Sequence, residues 1–142
     1  MQTRTRIAAI LATTALLAVV AIAAYVVVAI LSDGRSYSKS SPDYLILTPS
    51  IIRNMPLAQA MDMRFTYSAA DGPKPVVSTV EFVVTGDSER FTEAIKEYLR
   101  SNGLTEKSPG VFERSGQEVS LQPASAENER TRIEVLDYLN RP

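Results

Sequence analysis

Carboxylates are the side chains of this chain that could take part in acid–base or metal chemistry. The sequence contains no cysteine and no histidine, which excludes disulfides and a cysteine nucleophile and removes the commonest metal ligand and general base. Four acids lie close together in the sequence, Glu127, Glu129, Glu134 and Asp137. Arginines are interleaved with them, and their spacing is not that of a calcium loop. The pattern therefore favours a solvated surface over a cation site.

The Gly86–Asp87 pair follows a predicted strand and precedes a helical pattern, a position where anions can bind. No glycine-rich loop surrounds the pair, and the Asp87 carboxylate would repel a phosphate. We therefore interpret Asp87 or Ser88 as the cap of the helix. The sequence predicts no catalytic residue, no bound cofactor and no metal ligand.

The segment 85–104 predicts the main helix of the domain. Apolar residues recur at the spacing of one helical stripe, and charged residues cover the other side. Gly103 stands where a left-handed residue would end the helix. The predicted stripe consists of Phe91, Ala94, Ile95, Tyr98 and Leu99.

Three segments before this helix are predicted strands: 44–48, 63–67 and 76–85. The second alternates apolar and polar residues, as a half-buried strand does. The third has apolar residues on both faces, which predicts a central position in a sheet. Between the first two strands, Thr48–Pro49 would begin a short helix, with proline in the first turn.

Two segments after the helix complete the predicted sheet. The segment 110–122 predicts a hairpin around a Ser-Gly turn. A two-residue loop would place Glu113 opposite Glu118, and their repulsion predicts that this side faces water. The segment 129–142 fits a helix or a strand, and its β-branched residues favour the strand.

These elements predict an α+β fold for residues 44–142. We expect an antiparallel sheet of about five strands with one main helix packed on it, as in a ferredoxin-like or related sandwich. From residue 43 onward there are 11 basic and 15 acidic residues, a formal charge of −4. That charge argues against a nucleic-acid partner.

A run of 25 residues without a charge, 7–31, precedes this domain. A helix of that length spans roughly 37 Å, and the hydrocarbon core of a bilayer is about 30 Å thick. The apolar part of a signal peptide is typically only about 7 to 15 residues long. Cleavage after Ala23 is the alternative, but the same apolar helix continues beyond that point. The run therefore predicts a retained transmembrane helix.

The predicted order is a short cytoplasmic tail (1–6), the transmembrane helix (7–31), a flexible serine-rich stem (32–43) and an extracytoplasmic domain (44–142). A run that starts at residue 7 resembles an export signal, which favours a cytoplasmic N-terminus, although the bias in flanking positive charge is small. The chain has 11 arginines and four lysines, and its apolar run is rich in alanine. We take that composition to indicate a bacterial inner membrane protein.

Small residues in the apolar run could pack against a second helix. Ala8 with Ala12, and Thr14 with Ala18, are spaced four residues apart, as in small-xxx-small pairs. Alanine is also common in membrane helices that have no helical partner. The pairs are therefore a weak prediction of helix packing.

Met55, Leu57 and Met61 lie close together near the start of the domain. Methionine-rich surfaces adapt to partners, and this region is close in sequence to the membrane helix. We name these residues as a weak candidate partner surface. Packing in the core is the favoured alternative.

The leading functional hypothesis is a non-enzymatic accessory or assembly subunit. It would be anchored in the inner membrane by one helix, and its domain would bind a membrane or extracytoplasmic protein, within a larger membrane complex. The first alternative is a membrane-anchored immunity or inhibitor protein against a toxin, supported by the acidic domain. A carboxylate-dependent envelope hydrolase is a third hypothesis, and it requires two acids that converge in a cleft.

Overall fold

A computed structural model describes residues 2–31, 33–71, 74–124 and 130–138. The chain divides into two compact units, Met1–Leu31 and Ser32–Pro142. The first unit is the helix α1, Gln2–Leu31. Its stretch Leu11–Leu31 has a mean hydropathy of 2.8, and within the described residues it is the one helix long and apolar enough to cross a membrane. The predicted apolar N-terminal helix is confirmed, and a signal sequence would have the same properties.

The second unit is an antiparallel sheet of seven strands with three helices, counted over the described residues. The neighbours in the sheet follow the order β1-β2-β3-β7-β6-β5-β4. The strands are β1 (Arg35–Tyr37), β2 (Ala60–Ser68), β3 (Val76–Val84), β4 (Thr105–Ser108), β5 (Val111–Arg114), β6 (Gln117–Gln122) and β7 (Thr131–Asp137), and the helices are α2 (Pro42–Leu47), α3 (Ser50–Arg53) and α4 (Ser88–Ser101).

The strand order shows two meanders joined by α4. Strands β1 to β3 form the first meander, and β4 to β7 form the second, which returns so that β7 lies beside β3. The predicted α+β class is confirmed, but the expected count of about five strands was too low. The ferredoxin-like arrangement within this class stays a prediction. Every neighbouring pair among the described strands is antiparallel.

Helix α4 has the boundaries that its sequence predicts. The Asp87 side chain accepts a hydrogen bond from the backbone N–H of Arg90 at 3.0 Å, which caps the first turn. Gly103 has φ +80°, and Leu104 N–H donates to Leu99 O at 3.1 Å, which ends the helix. Of the predicted stripe, Phe91, Ile95 and Leu99 are buried, Tyr98 is half-buried and Ala94 is exposed.

One face of the sheet forms the core with α3 and α4. Phe65, Val80, Ile133 and Leu121 are neighbours in register across four strands, and all four are buried. The helices add Ile51, Ile52, Phe91, Ile95 and Leu99 to the same cluster. The Tyr98 hydroxyl donates to Ile51 O at 3.0 Å and so connects α4 to α3.

The predicted strand at 44–48 is wrong, because this segment is α2. Ser41 caps the helix by accepting a hydrogen bond from Asp43 N–H, and Pro42 occupies its first turn. The Tyr44 ring contacts the Phe65 ring edge-on, with centroids 5.1 Å apart. The capping sequence and this contact outweigh the strand preference of a short apolar run.

The stem predicted at 32–43 is part of the folded unit from Arg35 onward. Strand β1 pairs with β2, with Arg35 opposite Tyr67. The Arg35 Nε donates to Asp43 Oδ2 at 2.8 Å, and the Asp43 side chain is 6% exposed. The Tyr37 ring stacks on Phe65 with centroids 5.8 Å apart. A serine-rich composition predicts flexibility, but the pairing of β1 and the Tyr37–Phe65 contact attach this segment to the sheet, and the part-buried Arg35–Asp43 ion pair joins β1 to α2.

The C-terminal meander confirms two predictions. Strands β5 and β6 form the expected hairpin, with Glu113 opposite Glu118, and residues 131–137 form the strand β7. Strand β4 was not predicted, because its sequence Thr-Glu-Lys-Ser lacks apolar alternation. It pairs with β5 at the edge of the sheet, and Arg100 Nη2 donates to Glu106 Oε2 at 2.7 Å, which fastens this edge to α4.

Gly110 and Gly103 provide a matched test of packing at the β4–β5 turn. Both have a positive φ, +77° and +80°. A Cβ at Gly110 would lie 2.5 Å from Leu121 O, whereas a Cβ at Gly103 would have no atom within 4 Å. We expect Gly110→Ala to lower the free energy of unfolding by roughly 1–3 kcal/mol more than Gly103→Ala. Denaturant unfolding of the full chain in detergent, followed by tyrosine fluorescence, measures this difference, and equal losses would contradict it.

Candidate protein-interaction surface

The face of the sheet opposite to α2, α3 and α4 is the main candidate site, and we call it the open face. Its central residues alternate along β2, β3 and β7 with the buried residues of the core. Thr79 is buried at its centre, Arg64 is exposed, and the other residues around it are partly exposed. The central residues are Arg64, Thr66, Val77, Thr79, Glu81, Val83, Arg132, Glu134 and Leu136.

A ladder of charges crosses the open face. Arg64, Glu81 and Arg132 are neighbours in register on β2, β3 and β7. The Arg132 guanidinium lies 2.7 Å from a carboxylate oxygen of Glu134 and 3.7 Å from one of Glu81. Ion pairs this exposed contribute little to stability. They place the Arg132 guanidinium between Glu81 and Glu134, along the sheet.

Apolar side chains flank the ladder on both sides. Val77 is opposite Leu136, and both are partly exposed. Beyond the other side of the ladder, Met61 is opposite Val83, and Met61 is 59% exposed. The open face therefore combines partly exposed apolar pairs with paired charges.

A β-bulge at Asp62 places Met61 on the open face. Asp62 has φ +50°, and the register between β2 and β3 shifts between Met61 and Arg64. Strict alternation would put Met61 on the same face as Met63, which packs on the core. The extra residue turns Met61 to the opposite face.

Arg130, which is distant in the sequence, forms hydrogen bonds that stabilise this bulge. Its Nη1 donates to Asp62 Oδ2 at 2.6 Å, and its Nη2 donates to the main-chain oxygens of Asp62 and Glu81. The hydrogen bond from Arg130 holds the pKa of the Asp62 carboxyl below its ordinary value of 3.8, and Arg64 contributes less. The bulge is therefore fixed by an arginine that lies 68 residues away in the sequence.

A cleft of about 590 Å³ lies at the turn of the β5–β6 hairpin. Glu113 and Glu118 lie opposite each other across the hairpin and both line the cleft. Lys107 and Arg114 also line it. The cleft is therefore lined by two positive and two negative side chains. Within the described residues, no three acidic side chains are grouped so that they could hold a metal ion. Glu127 and Glu129 lie outside those residues.

The three residues of the predicted partner surface differ in their exposure. Met55 is 6% exposed and belongs to the core, so its assignment to a surface was wrong. Leu57 packs against the core as a partly buried residue, and Met61 alone of the three is highly exposed. Met55 lies in the turn after α3, where its N–H donates to Ile52 O at 3.2 Å.

The small residues of α1 lie within one continuous helix. Ala12, Thr14 and Ala18 are exposed along it, and Ala8 lies in the same helix, outside the residues whose side chains are described. Their exposure is compatible with lipid contact and with helix packing, so the pairs stay a prediction.

Comparisons of the chain with protein-family models, with curated proteins and with solved structures found no match. The open face is therefore interpreted from its own residues. Sequence analysis missed Arg64, Glu81, Arg130 and Arg132 as parts of one surface. The charges at positions 132 and 134 alternate with the buried Ile133 and Val135, and that alternation was the available signal.

We expect the pKa of Asp62 to rise toward its ordinary value when Arg130 is replaced by glutamine, because the main hydrogen-bond donor is lost. Arg64→Gln is the matched control and should raise the pKa less. Since the pKa is lowered in the folded state, the associated stabilisation is present above pH 3.8 and is lost as the pH falls through the folded pKa. Carboxyl-carbon NMR titration of the full chain in micelles measures both variants, and a larger rise in Arg64→Gln would contradict the assignment.

Proposed function

We propose that this protein is a membrane-anchored accessory or assembly subunit that binds a protein partner through the open face. It is held in a bacterial inner membrane by α1, with its N-terminus in the cytoplasm and its folded unit on the extracytoplasmic side. The partner belongs to a larger membrane complex. The protein acts by binding and carries out no reaction of its own.

The composition of the open face is the observation that carries this proposal. Methionine and arginine are enriched in protein interfaces relative to the rest of the surface. The open face presents Val77 with Leu136 on one side of its ladder and Met61 with Val83 on the other. Arg132 lies between them, already oriented by Glu134.

The length of α1 supports the anchor. Leu11–Leu31 contains 21 residues, which is close to the number that a transmembrane helix needs.

One observation favours the immunity or inhibitor alternative. Glu113 and Glu118 are like charges in directly opposed positions of a hairpin, an arrangement that lowers stability. A basic partner would relieve their repulsion, and the folded unit is acidic. The balanced charge of the adjacent cleft weakens this alternative. Protection of cells against a toxin when the chain is expressed would support it.

Retention of α1 is tested on the full-length chain with a C-terminal tag, extracted in detergent. We expect mass spectrometry to find an N-terminus at Met1 or Gln2 and stoichiometric membrane proteins in the purified sample. A chain that begins near Ala24 and purifies alone would contradict the anchor, because α1 would then be a removed signal.

The role of the open face is tested by a double variant, Val77→Lys with Leu136→Lys. Two added charges at partly exposed apolar positions should abolish co-purification of the partner, because each lysine would have to lose its hydration in the interface. The matched control is Ser50→Lys with Ser101→Lys, which adds the same charge at exposed positions of α3 and α4. Circular dichroism of both variants verifies folding. Loss of the partner in the control, or its retention in the open-face variant, would contradict the proposal.

A further inference from the structure

The outer side of α2 is an exposed apolar stripe. Pro42, Leu45 and Ile46 stand at positions i, i+3 and i+4 of this helix, which places them on one side. Leu45 is 69% exposed, Pro42 is exposed and Ile46 is partly exposed. Asp43 and Leu47, on the inner side, are buried. In the folded unit, Leu45 is more exposed than any other large apolar side chain among the described residues.

Helix α2 lies at the end of the sheet where the chain enters it. Arg35, the first residue of β1, forms the ion pair with Asp43 and is opposite Tyr67 on β2. Ser78 on β3 is also opposite Tyr67. Its hydroxyl donates to Leu47 O at 3.5 Å. Both ends of α2 are therefore attached to the same row of the sheet as Arg35.

The chain between α1 and this row is short. Three residues separate Leu31 from Arg35, and four residue steps of extended chain span at most roughly 14 Å. If α1 crosses a bilayer, the chain therefore enters the sheet, at Arg35, within four residue steps of the end of the membrane helix. The pairing of β1 with β2 and the part-buried Arg35–Asp43 ion pair hold this segment on the folded unit, so it does not lengthen the connection.

We infer that the stripe Pro42–Leu45–Ile46 rests in the interface of the lipid bilayer from which α1 emerges. This inference depends on the proposed retention of α1. The apolar side of an amphipathic helix can enter the boundary between headgroups and acyl chains. Basic residues border the stripe: Arg53 Nη1 donates to Leu45 O at 3.3 Å, and Lys39 is exposed in the turn before α2. Both can contact anionic headgroups.

Met61 supplies the matched control position. It is the other highly exposed large apolar residue of the described folded unit, at 59%. It lies six residues from Tyr67 along β2, which is roughly 20 Å from the entry row at the rise of a strand. A probe at position 61 should therefore remain in water or in contact with the protein partner, whereas one at position 45 should meet lipid.

The test uses the absence of native cysteine. Leu45→Cys and Met61→Cys are made in the full-length chain, labelled with an environment-sensitive fluorophore and reconstituted into vesicles of phosphatidylethanolamine and phosphatidylglycerol. We expect the probe at 45 to emit at shorter wavelength than the probe at 61. A nitroxide quencher attached near the lipid headgroups should quench the probe at 45 several-fold more strongly than the probe at 61.

Flotation of the same vesicles distinguishes failure of the anchor from failure of the lipid contact. If the protein floats with the vesicles and the two probes respond equally, the lipid contact of α2 is overturned while the anchor stands. If the protein does not float, both the anchor and the lipid contact are overturned. If the difference between the probes persists in vesicles of phosphatidylcholine alone, the apolar stripe accounts for the contact. If the difference between the probes is lost in phosphatidylcholine vesicles, the contact is assigned to Arg53 and Lys39 at anionic headgroups.

Discussion

Pairing of β3 with β7 is the contact on which the rest of the folded unit depends. It joins the two meanders into one sheet, and the residues that it aligns, Val80 with Ile133, lie at the centre of the core. A shift of one residue in this register would exchange the buried and exposed sides of β7. Ile133 would then face water, and Arg132 would face the core. The strong preference for one register therefore fixes the core and the charge ladder of the open face together.

The parts of this fold that could be predicted are those in which local pattern and tertiary packing agree. The apolar stripe, cap and terminal glycine of α4 all lie within 20 residues, and the structure matches them closely. The strand assignment of 131–137 also succeeded, because Thr131, Ile133 and Val135 alternate with polar residues. Strands β1 and β4 could not be predicted, since three or four mainly polar residues become strands through pairing with neighbours distant in sequence.

The candidate surface was less predictable than the fold for the same reason. Methionines at 55 and 61 look alike in the sequence, yet one is buried in the core and the other is exposed. Met61 reaches the open face because Arg130 stabilises an unusual backbone angle at Asp62. No pattern of short range predicts that contact. Surface assignments from composition fail where a bulge changes which side of a strand a residue occupies.

The attachment of residues 35–47 to the sheet bears on which partners the protein can reach. With a free stem, 11 residue steps from Leu31 to Pro42 could extend to roughly 38 Å. With β1 paired and Arg35 bound to Asp43, the reach falls to roughly 14 Å from the end of α1 to the sheet. A partner that stands far from the bilayer would favour the longer connection. The pairing of β1 instead favours a partner that presents its binding surface near the membrane, which agrees with the proposed subunit of a membrane complex.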